Sequence, residues 1–335
     1  MFNAFKEALL SKNREAIAEF LDDRVALKFP DTEPLFNKAS CLTYLENLTI
    51  ESIAPFTAYL SFHYTIIKTP NNTYMVKIKY KNNHIISLYA DTLDENMTRY
   101  RVDFRYDGTL YEGYQRQPKA KTVQRELESV LSHLMQTPIT VHAASRTDAG
   151  VHALHQVLHF DANTPLSPSK IKTLMNTMLP DDIVVDKVDE VPSVFHARYD
   201  AVSKTYSYRI SHEKNPFNAH YVHYLEPLSV DTINSMLEVF IGTHDFASFA
   251  KVSDKKDTIR TIFEAQSVRK NNETIIEITG SGFLRNMVRM LIGEILYDYK
   301  HRTTSYLDRL ERPSSKYPKR LAPAQGLYLK SVHYT

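Results

Sequence analysis

The chain has 335 residues, of which 43% are apolar and 24% charged, and its 41 Lys and Arg against 39 Asp and Glu leave a net charge of +2. A single cysteine, Cys41, excludes an intrachain disulfide and a multi-thiolate metal site. No run approaches the roughly 18 consecutive apolar residues of a membrane span, and the first residues lack the small-residue cleavage site of a signal peptide. We therefore expect a cytoplasmic globular protein with two or three hydrophobic cores.

The charge is spread unevenly along the chain. Residues 1–97 hold 10 basic and 12 acidic residues, and the remainder holds 31 and 27, so the two parts carry −2 and +4. A nucleic-acid partner would accordingly bind local basic patches and not a strongly basic domain.

Residues 1–96 predict a small domain of their own. Apolar residues at near-helical spacing favour one or two helices in 2–21 and another in 39–48. Alternating apolar and polar residues then predict three strands, at 60–66, 74–80 and 84–90. Helices followed by a three-stranded antiparallel meander make an α+β domain that loosely resembles the cone-shaped fold of nuclear transport factor and ketosteroid-isomerase-like proteins. We find no Asp/His or Asp/Tyr pairing there that indicates a catalytic site, so an accessory or dimerising domain is favoured over a second active site.

The stretch S-R-T-D-A-G-V-H-A, Ser145 to Ala153, organises the rest of the chain. It follows a short predicted strand at 139–143 and opens into an apolar-rich element. A carboxylate on a tight turn between two buried elements is held rigidly and still faces a cleft, which makes Asp148 a candidate catalytic residue. Taken alone, such an aspartate is more often a turn former or a helix cap.

The elements around this stretch mix helices and strands. Before it, a strand ends in the turn Asp107-Gly108 and a helix follows Thr122. After it, helices are expected at 169–178 and 230–241, and strands at 182–188, at 206–210, at 275–279 and at the C-terminus. The segment F-L-R-N-M-V-R-M-L-I-G-E-I-L predicts a strong helix on which Arg285 and Arg289 share a face. Because the nucleotide-binding glycine motif of βαβ folds is missing, we expect an α+β fold with a largely antiparallel sheet.

Three further residues are candidates for contacts at the site. Arg146 is either a surface arginine or a cation that binds a phosphate backbone or displaces a base. Tyr206 is either a core aromatic on a strand, which is favoured without context, or a stacking platform for a base. Arg289 either lies on a solvated helix face or forms an ion pair that keeps Asp148 ionised.

Histidines cluster around the same turn, at His142, His152, His155 and His159. Spacings of three and four suit metal ligands on one face of a helix. No glutamate accompanies them in an H-E-x-x-H pattern, and on a strand His152 would point away from the other two histidines that follow it. Ordinary structural histidines are therefore favoured over a metal site.

Seven segments, in this order, resemble the tRNA pseudouridine synthase A family over about residues 97–335. They are Y-D-G-T-L-Y-E-G-Y-Q-R-Q-P, T-V-Q-R-E-L-E, S-R-T-D-A-G-V-H-A with Q-V-L-H-F, F-H-A-R-Y-D-A-V-S-K-T-Y-S-Y-R-I, H-D-F-A-S-F, F-L-R-N-M-V-R-M-L-I-G and G-L-Y-L. Residues 1–96 then form an extension in front of a whole synthase. Two positions depart from the family pattern: Tyr114 stands where tryptophan is usual, and Ala143 where glycine is common. Neither departure removes the carboxylate.

The resemblance implies a role for each candidate residue. Asp148 matches the family's catalytic aspartate, and Arg289 matches the basic residue that faces it. Arg146 matches the arginine that helps displace the target base, and Tyr206 matches the tyrosine that packs on the uracil.

The resemblance also implies an architecture and a reaction. Two subdomains, 97–205 with the aspartate and 206–335, would join their mainly antiparallel sheets around a central cleft, with Leu327 or Leu329 as a wall of the pocket. A homodimer would bind one tRNA across both subunits and isomerise uridine to pseudouridine in the anticodon stem-loop. The isomerisation needs no redox or group donor, so no cofactor and no metal are expected.

Two other functions stay open at this point. A catalytically silent RNA-binding or folding module would keep the basic patches but would not need Asp148. A metal-dependent hydrolase would need the histidines. Whether the carboxylate attacks the sugar or first takes a sugar proton is also open.

Overall fold

The computed structural model describes residues 1–30, 33–60, 62–94, 96–251 and 257–334. Within these ranges the strands form two sheets, one of six strands and one of ten, and helices pack on both. No described helix combines the length and the apolar character that a bilayer crossing requires.

Residues 1–92 fold around a hydrophobic core of their own. The helices are α1 (Phe2–Leu10), α2 (Arg14–Phe20) and α3 (Lys38–Asn47). The strands are β1 (Leu21–Lys28), β2 (Ser52–Ile53), β3 (Thr57–Tyr59), β4 (Phe62–Lys68), β5 (Thr73–Lys81) and β6 (His84–Thr92). They pair in the order β1-β6-β5-β4-β2, with β3 also on β4, and buried side chains such as Phe5, Ile17 and Ile78 fill the core.

The predicted α+β class of this domain is confirmed, but its sheet is larger than the predicted three-stranded meander. Strand β1 pairs in parallel with β6, and β2 and β3 pair with β4. The sequence does not reveal β1 because L-D-D-R-V-A-L-K places three charged residues in a row, which interrupts the alternation of a half-buried strand.

The described residues within 98–334 form the ten-stranded sheet and five α-helices. The strands are β7 (Thr98–Tyr106), β8 (His142–Ala143), β9 (His152–Ala162), β10 (Ile183–Val191), β11 (Ser203–Ser211), β12 (His223–Tyr224), β13 (Gly242–Asp245), β14 (Ile259–Lys270), β15 (Glu273–Gly280) and β16 (Leu327–His333). The helices are α4 (Val123–Met135), α5 (Pro168–Met178), α6 (Val230–Glu238), α7 (Met287–His301) and α8 (Ser305–Glu311).

The C-terminal strand joins two mainly antiparallel halves of this sheet. The order is β10-β7-β9-β16-β11-β15-β14-β13, with β8 also on β9 and β12 on β11. Strand β16 pairs in parallel with β9 and antiparallel with β11, so the predicted joining of two antiparallel sheets is confirmed. The expected division between 205 and 206 lies inside β11 and stays a proposal, because one hydrophobic core runs across both halves.

Helix α7 begins later than the sequence indicates. Asn286, directly before it, has a left-handed backbone with φ 62°. Arg285 therefore precedes the helix, and the predicted face shared by Arg285 and Arg289 does not form. Helix periodicity cannot reveal this start because the turn is held by a distant contact, in which the Lys251 N–H donates to the Arg285 carbonyl at 2.9 Å.

The two regions of the chain meet at a buried ion pair. Lys77 of β5 donates to the carboxylate of Asp200, which is fully buried, and Lys79 lies 3.8 Å from the same oxygen. A small apolar cluster from both regions lies beside the pair: Phe62, Met75 and Val194.

Candidate active site

The turn that carries Asp148 links β8 to β9 and is held by the loop at 111–114. The Tyr114 N–H donates to the Thr147 carbonyl at 3.1 Å. Gly113 has φ 100°, and a Cβ added there would lie 3.0 Å from the Thr147 carbonyl oxygen. Glycine suits both the close approach and the positive φ, so the motif Y-E-G-Y positions the backbone of the aspartate.

Two buried side chains fix the β8 side of the turn. Gln156 donates to the Ser145 carbonyl at 2.9 Å and accepts from the Ser145 N–H at 3.2 Å. Lys204 Nζ donates to the Ala144 carbonyl at 2.6 Å, and burial lowers the pKa of Lys204 to about 8. Because the sheet holds this end of the turn, Asp148 has a defined position.

Among the described residues, side chains contact only one oxygen of the Asp148 carboxylate. Oδ2 accepts from Nδ2 of Asn286 and lies 3.4 Å from Nη1 of Arg289. Arg289 is itself held by its Nε, which donates to the Ala322 carbonyl at 2.8 Å. Within the described ranges Oδ1 has no hydrogen-bond partner, and the side chain is 21% exposed. One oxygen of the carboxylate is therefore open to a substrate.

Tyr206 of β11 forms part of the wall beside this carboxylate. Its hydroxyl lies 2.8 Å from Ser145 Oγ, and its ring meets Phe283 edge to face with the centroids 5.1 Å apart. Burial raises the pKa of the Tyr206 phenol to about 12, so the hydroxyl stays protonated at neutral pH. The ring is thus held at its hydroxyl by Ser145 and at its side by Phe283.

A cleft with a volume of about 30 Å³ lies between these groups. Five of the six predicted site residues line it: Arg146, Asp148, Tyr206, Arg289 and Leu327. The sixth, Leu329, is fully buried opposite Tyr206 in the pairing of β16 with β11 and is not part of this lining. The structure thus brings together residues that lie up to 181 positions apart in the sequence, from Arg146 to Leu327.

Most of the segments that form this cleft match a known protein family. A family model described as tRNA pseudouridine synthase matches residues 104–200 and 236–335, which include the Asp148 turn and the start of α7. The tRNA pseudouridine synthase A of Exiguobacterium sp. (strain ATCC BAA-1283 / AT1b) is 40% identical over 242 residues, covering 71% of this chain and 98% of that protein. The chain belongs to the tRNA pseudouridine synthase family.

Other members of the family show the same coverage. The tRNA pseudouridine synthase A of Geobacillus sp. (strain WCH70) is 42% identical over 243 residues, which cover 70% of this synthase and 98% of the relative. These relatives are matched over nearly their whole length, so almost a third of this chain has no counterpart in them.

Solved structures resemble a smaller part of the synthase. An NTF2-like protein of unknown function from Burkholderia xenovorans LB400 shares 11% identity at a TM-score of 0.25 and covers 28% of this chain and 80% of its own. One from Cytophaga hutchinsonii ATCC 33406 shares 13% identity at the same TM-score and covers 28% and 86%. Such a likeness carries no argument about function.

The synthase site contains residues that the sequence did not indicate. Asn286 was missed because the pattern placed it inside a helix. Ser145 opens the S-R-T-D stretch, yet no local pattern connects it with Tyr206, 61 positions away. Gly113 could have been found, since a glycine between aromatic residues in Y-E-G-Y indicates a tight turn or a close backbone approach.

The histidines near the turn have separate partners in the synthase. His155 Nε2 lies 2.8 Å from Asp103 Oδ1, and His159 Nδ1 accepts from the Ala197 N–H at 3.1 Å. In the part of the chain that the structure describes, no three His, Cys, Asp or Glu side chains are placed to hold a metal ion. The metal-dependent hydrolase therefore has no support from the arrangement of these side chains.

Proposed function

We propose that the synthase converts uridine to pseudouridine in tRNA with Asp148 as its catalytic carboxylate. Membership of the family makes the chain an isomerase that acts on tRNA. The observation that supports the residue assignment is the carboxylate at the cleft, which is bound through one oxygen and open at the other. A silent RNA-binding module would have no use for a carboxylate held in this way.

The chemistry requires a charged oxygen at the sugar and no outside reagent. The N1–C1′ bond breaks and a C5–C1′ bond forms, while the proton lost from C5 is balanced by the proton gained at N1. An ionised carboxylate acts either as a nucleophile at the sugar or as a base toward a sugar proton. Both routes use the oxygen that Asn286 and Arg289 leave free.

The target base has to leave its stack, which costs a few kcal/mol and least at loop positions. Tyr206 offers a ring at the cleft, and stacking of a base on an aromatic ring contributes about 1–3 kcal/mol. Arg146 is exposed and has no hydrogen bond or ion pair among the residues the structure describes. Its guanidinium is therefore available to displace the base or to bind a phosphate.

We also propose that the target lies in the anticodon stem-loop and that a cytoplasmic homodimer binds one tRNA across both subunits. The support is the family resemblance, together with the single, free and buried Cys41, which suits a reducing compartment. Sedimentation equilibrium of the full chain tests the assembly: we expect twice the chain mass, and a monomer at micromolar concentration would contradict the homodimer.

Residues 1–96 are proposed as an accessory domain in front of the subdomains 97–205 and 206–335. The space between its sheet and helices is filled by its own core. Met75 and Lys77, on another face of the sheet, contact the synthase region. Both faces of strand β5 are therefore engaged in packing.

The variant Asp148→Asn tests the assignment because it keeps the shape of the side chain and removes its charge. We expect pseudouridine formation to be lost while tRNA binding stays within about threefold, since the phosphate contacts that dominate affinity are unchanged. Release of tritium from tRNA labelled at uridine C5 measures the reaction, and Asp181→Asn, at an exposed aspartate, is the control. Conversion of an anticodon-arm substrate by Asp148→Asn would show that the assignment is wrong.

A further inference from the structure

Asn286 precedes α7 in a conformation that is unusual for the residue that begins a helix. Such a residue normally has an extended backbone, and its side chain accepts a hydrogen bond from the helix. Asn286 instead has φ 62° and ψ 4°, and its side chain makes no such bond. Its Nδ2 donates to Oδ2 of Asp148. Two sources of helix stability are therefore given up at one residue, beside the proposed catalytic carboxylate.

The chemistry of the pair fixes the direction of this hydrogen bond. An ionised carboxylate only accepts hydrogen bonds, so the amide nitrogen of Asn286 has to face Asp148. The guanidinium of Arg289 is farther away, at 3.4 Å, and its Nε is engaged by the Ala322 carbonyl. Asn286 is therefore the closest group that restrains rotation of the carboxylate.

Asparagine suits both the left-handed backbone of this position and the need for a side-chain donor. Glycine, asparagine and aspartate tolerate the left-handed region best, and of these only asparagine supplies an N–H donor on its side chain. The left-handed backbone lets the side chain leave its own helix and reach the turn between β8 and β9.

We propose that Asn286 is a positioning residue for Asp148. Its amide binds Oδ2 from the α7 side and thereby turns Oδ1 toward the cleft. This inference rests on the proposed function, because the amide matters for catalysis only if Asp148 does the chemistry.

The variant Asn286→Gly separates the amide from the backbone conformation. Glycine keeps the left-handed backbone and removes the donor. We expect the single-turnover rate constant to fall about 10- to 100-fold, the range for a lost hydrogen bond to a charged group. The Kd for tRNA stays within about twofold. Asn271→Gly is the matched control, because Asn271 also has a left-handed backbone, with φ 53°, but lies in the exposed turn between β14 and β15.

The variant Asn286→Asp supplies a readout that a merely structural role would not move. Two carboxylates at hydrogen-bond distance share a proton, and the variant has a donor only while that proton is bound. We expect its kcat to fall with rising pH between about pH 5 and 8 as the pair loses that proton, whereas the wild type does not fall there.

The outcomes distinguish this inference from the proposed function. Wild-type kcat in Asn286→Gly, or a wild-type pH profile in Asn286→Asp, overturns the positioning role if Asp148→Asn is inactive. Activity in Asp148→Asn overturns the proposed function instead. A folded Asn286→Gly variant, checked by circular dichroism and by thermal unfolding beside Asn271→Gly, with reduced kcat supports the inference.

Discussion

The Asp148 turn and the boundary between the two regions each contain an aspartate beside a cation, and the surroundings of the two aspartates differ. Asp200 is buried, with one oxygen on Lys77 and the other accepting from the His196 N–H at 2.8 Å. Asp148 is 21% exposed, and among the described residues only its Oδ2 has side-chain partners, with Arg289 at 3.4 Å. An aspartate with both oxygens occupied away from water can only hold structure, whereas one with an open oxygen at a cleft can react.

The difference also predicts where the protein is sensitive to substitution. A buried pair costs desolvation of both charges, so loss of one partner leaves an uncompensated charge. A partly exposed carboxylate can be solvated, so changes around it affect geometry and catalysis more than folding. We therefore expect changes at the boundary to lower stability and changes at the turn to lower activity.

The largest expected effect is that of Lys77→Met, which leaves Asp200 buried without its closest cation. We expect the free energy of unfolding, from urea denaturation, to fall by about 3–5 kcal/mol. Lys330→Met is the control: its pair with Glu277 is partly exposed, and its loss is worth about 1 kcal/mol or less. The double variant Lys77→Met/Asp200→Asn regains part of the lost free energy of unfolding, because the buried charge is then removed. Equal effects of Lys77→Met and Lys330→Met would show that the pair does not hold the boundary.

Acid is expected to lower the free energy of unfolding through two buried histidines near the boundary. Burial lowers the pKa of His159 to about 2 and of His196 to about 4, from 6.5 in the unfolded chain. Because the unfolded chain binds more protons, stability is lost as the pH falls through 6.5, by up to about 1.4 kcal/mol per pH unit for each histidine. Between about pH 7.5 and 5.5 we expect a loss of roughly 2–3 kcal/mol in urea denaturation. His159→Asn removes the share of this histidine, about 1.4 kcal/mol, and a loss unchanged from wild type would contradict this origin; the exposed His333→Asn is the control.

At the turn, Gly113→Ala is expected to act mainly on catalysis. The φ of 100° and the distance of 3.0 Å from a new Cβ to the Thr147 carbonyl force the turn to shift. The strained backbone costs about 1–2 kcal/mol, and a displaced carboxylate lowers kcat about tenfold or more. Gly282→Ala is the matched control, since its Cβ would meet no atom within 4 Å. If both variants keep full activity in the tritium-release assay, Gly113 does not position the turn.

The smallest expected effects are those of changing either of two buried tyrosines to phenylalanine. Tyr206→Phe loses its contact with Ser145, at about 1 kcal/mol of stability, and keeps most tRNA binding, whereas Tyr206→Ala loses the stacking surface and much of that binding. Equal tRNA binding by Tyr206→Phe and Tyr206→Ala would contradict the stacking role.

Tyr114→Phe is neutral or stabilising, because the Tyr114 hydroxyl is buried and has no hydrogen-bond partner among the described residues.

Much of the fold and of the site follows from local patterns. Period-two alternation predicts β4 to β7, the stretch S-R-T-D-A-G indicates the turn at Asp148, and the sequence also points to Arg146 and Tyr206. Strand β14 was missed, because its exposed outer residues do not alternate cleanly with its buried ones. Both outcomes have one cause. A local pattern indicates only which side chains of one segment are buried and which are exposed.

By itself, the sequence indicated most of the helices and strands, the division into two parts and the turn that carries Asp148. Only the tertiary structure decided which oxygen of that carboxylate is free, because its partner Asn286 lies 138 positions away and adopts a left-handed backbone that no helical pattern reveals. It also decided how the two parts are joined, because Lys77 and Asp200 meet across 123 positions. Contacts between residues so distant in the chain depend on how the elements pack, and no single segment of the sequence specifies that packing.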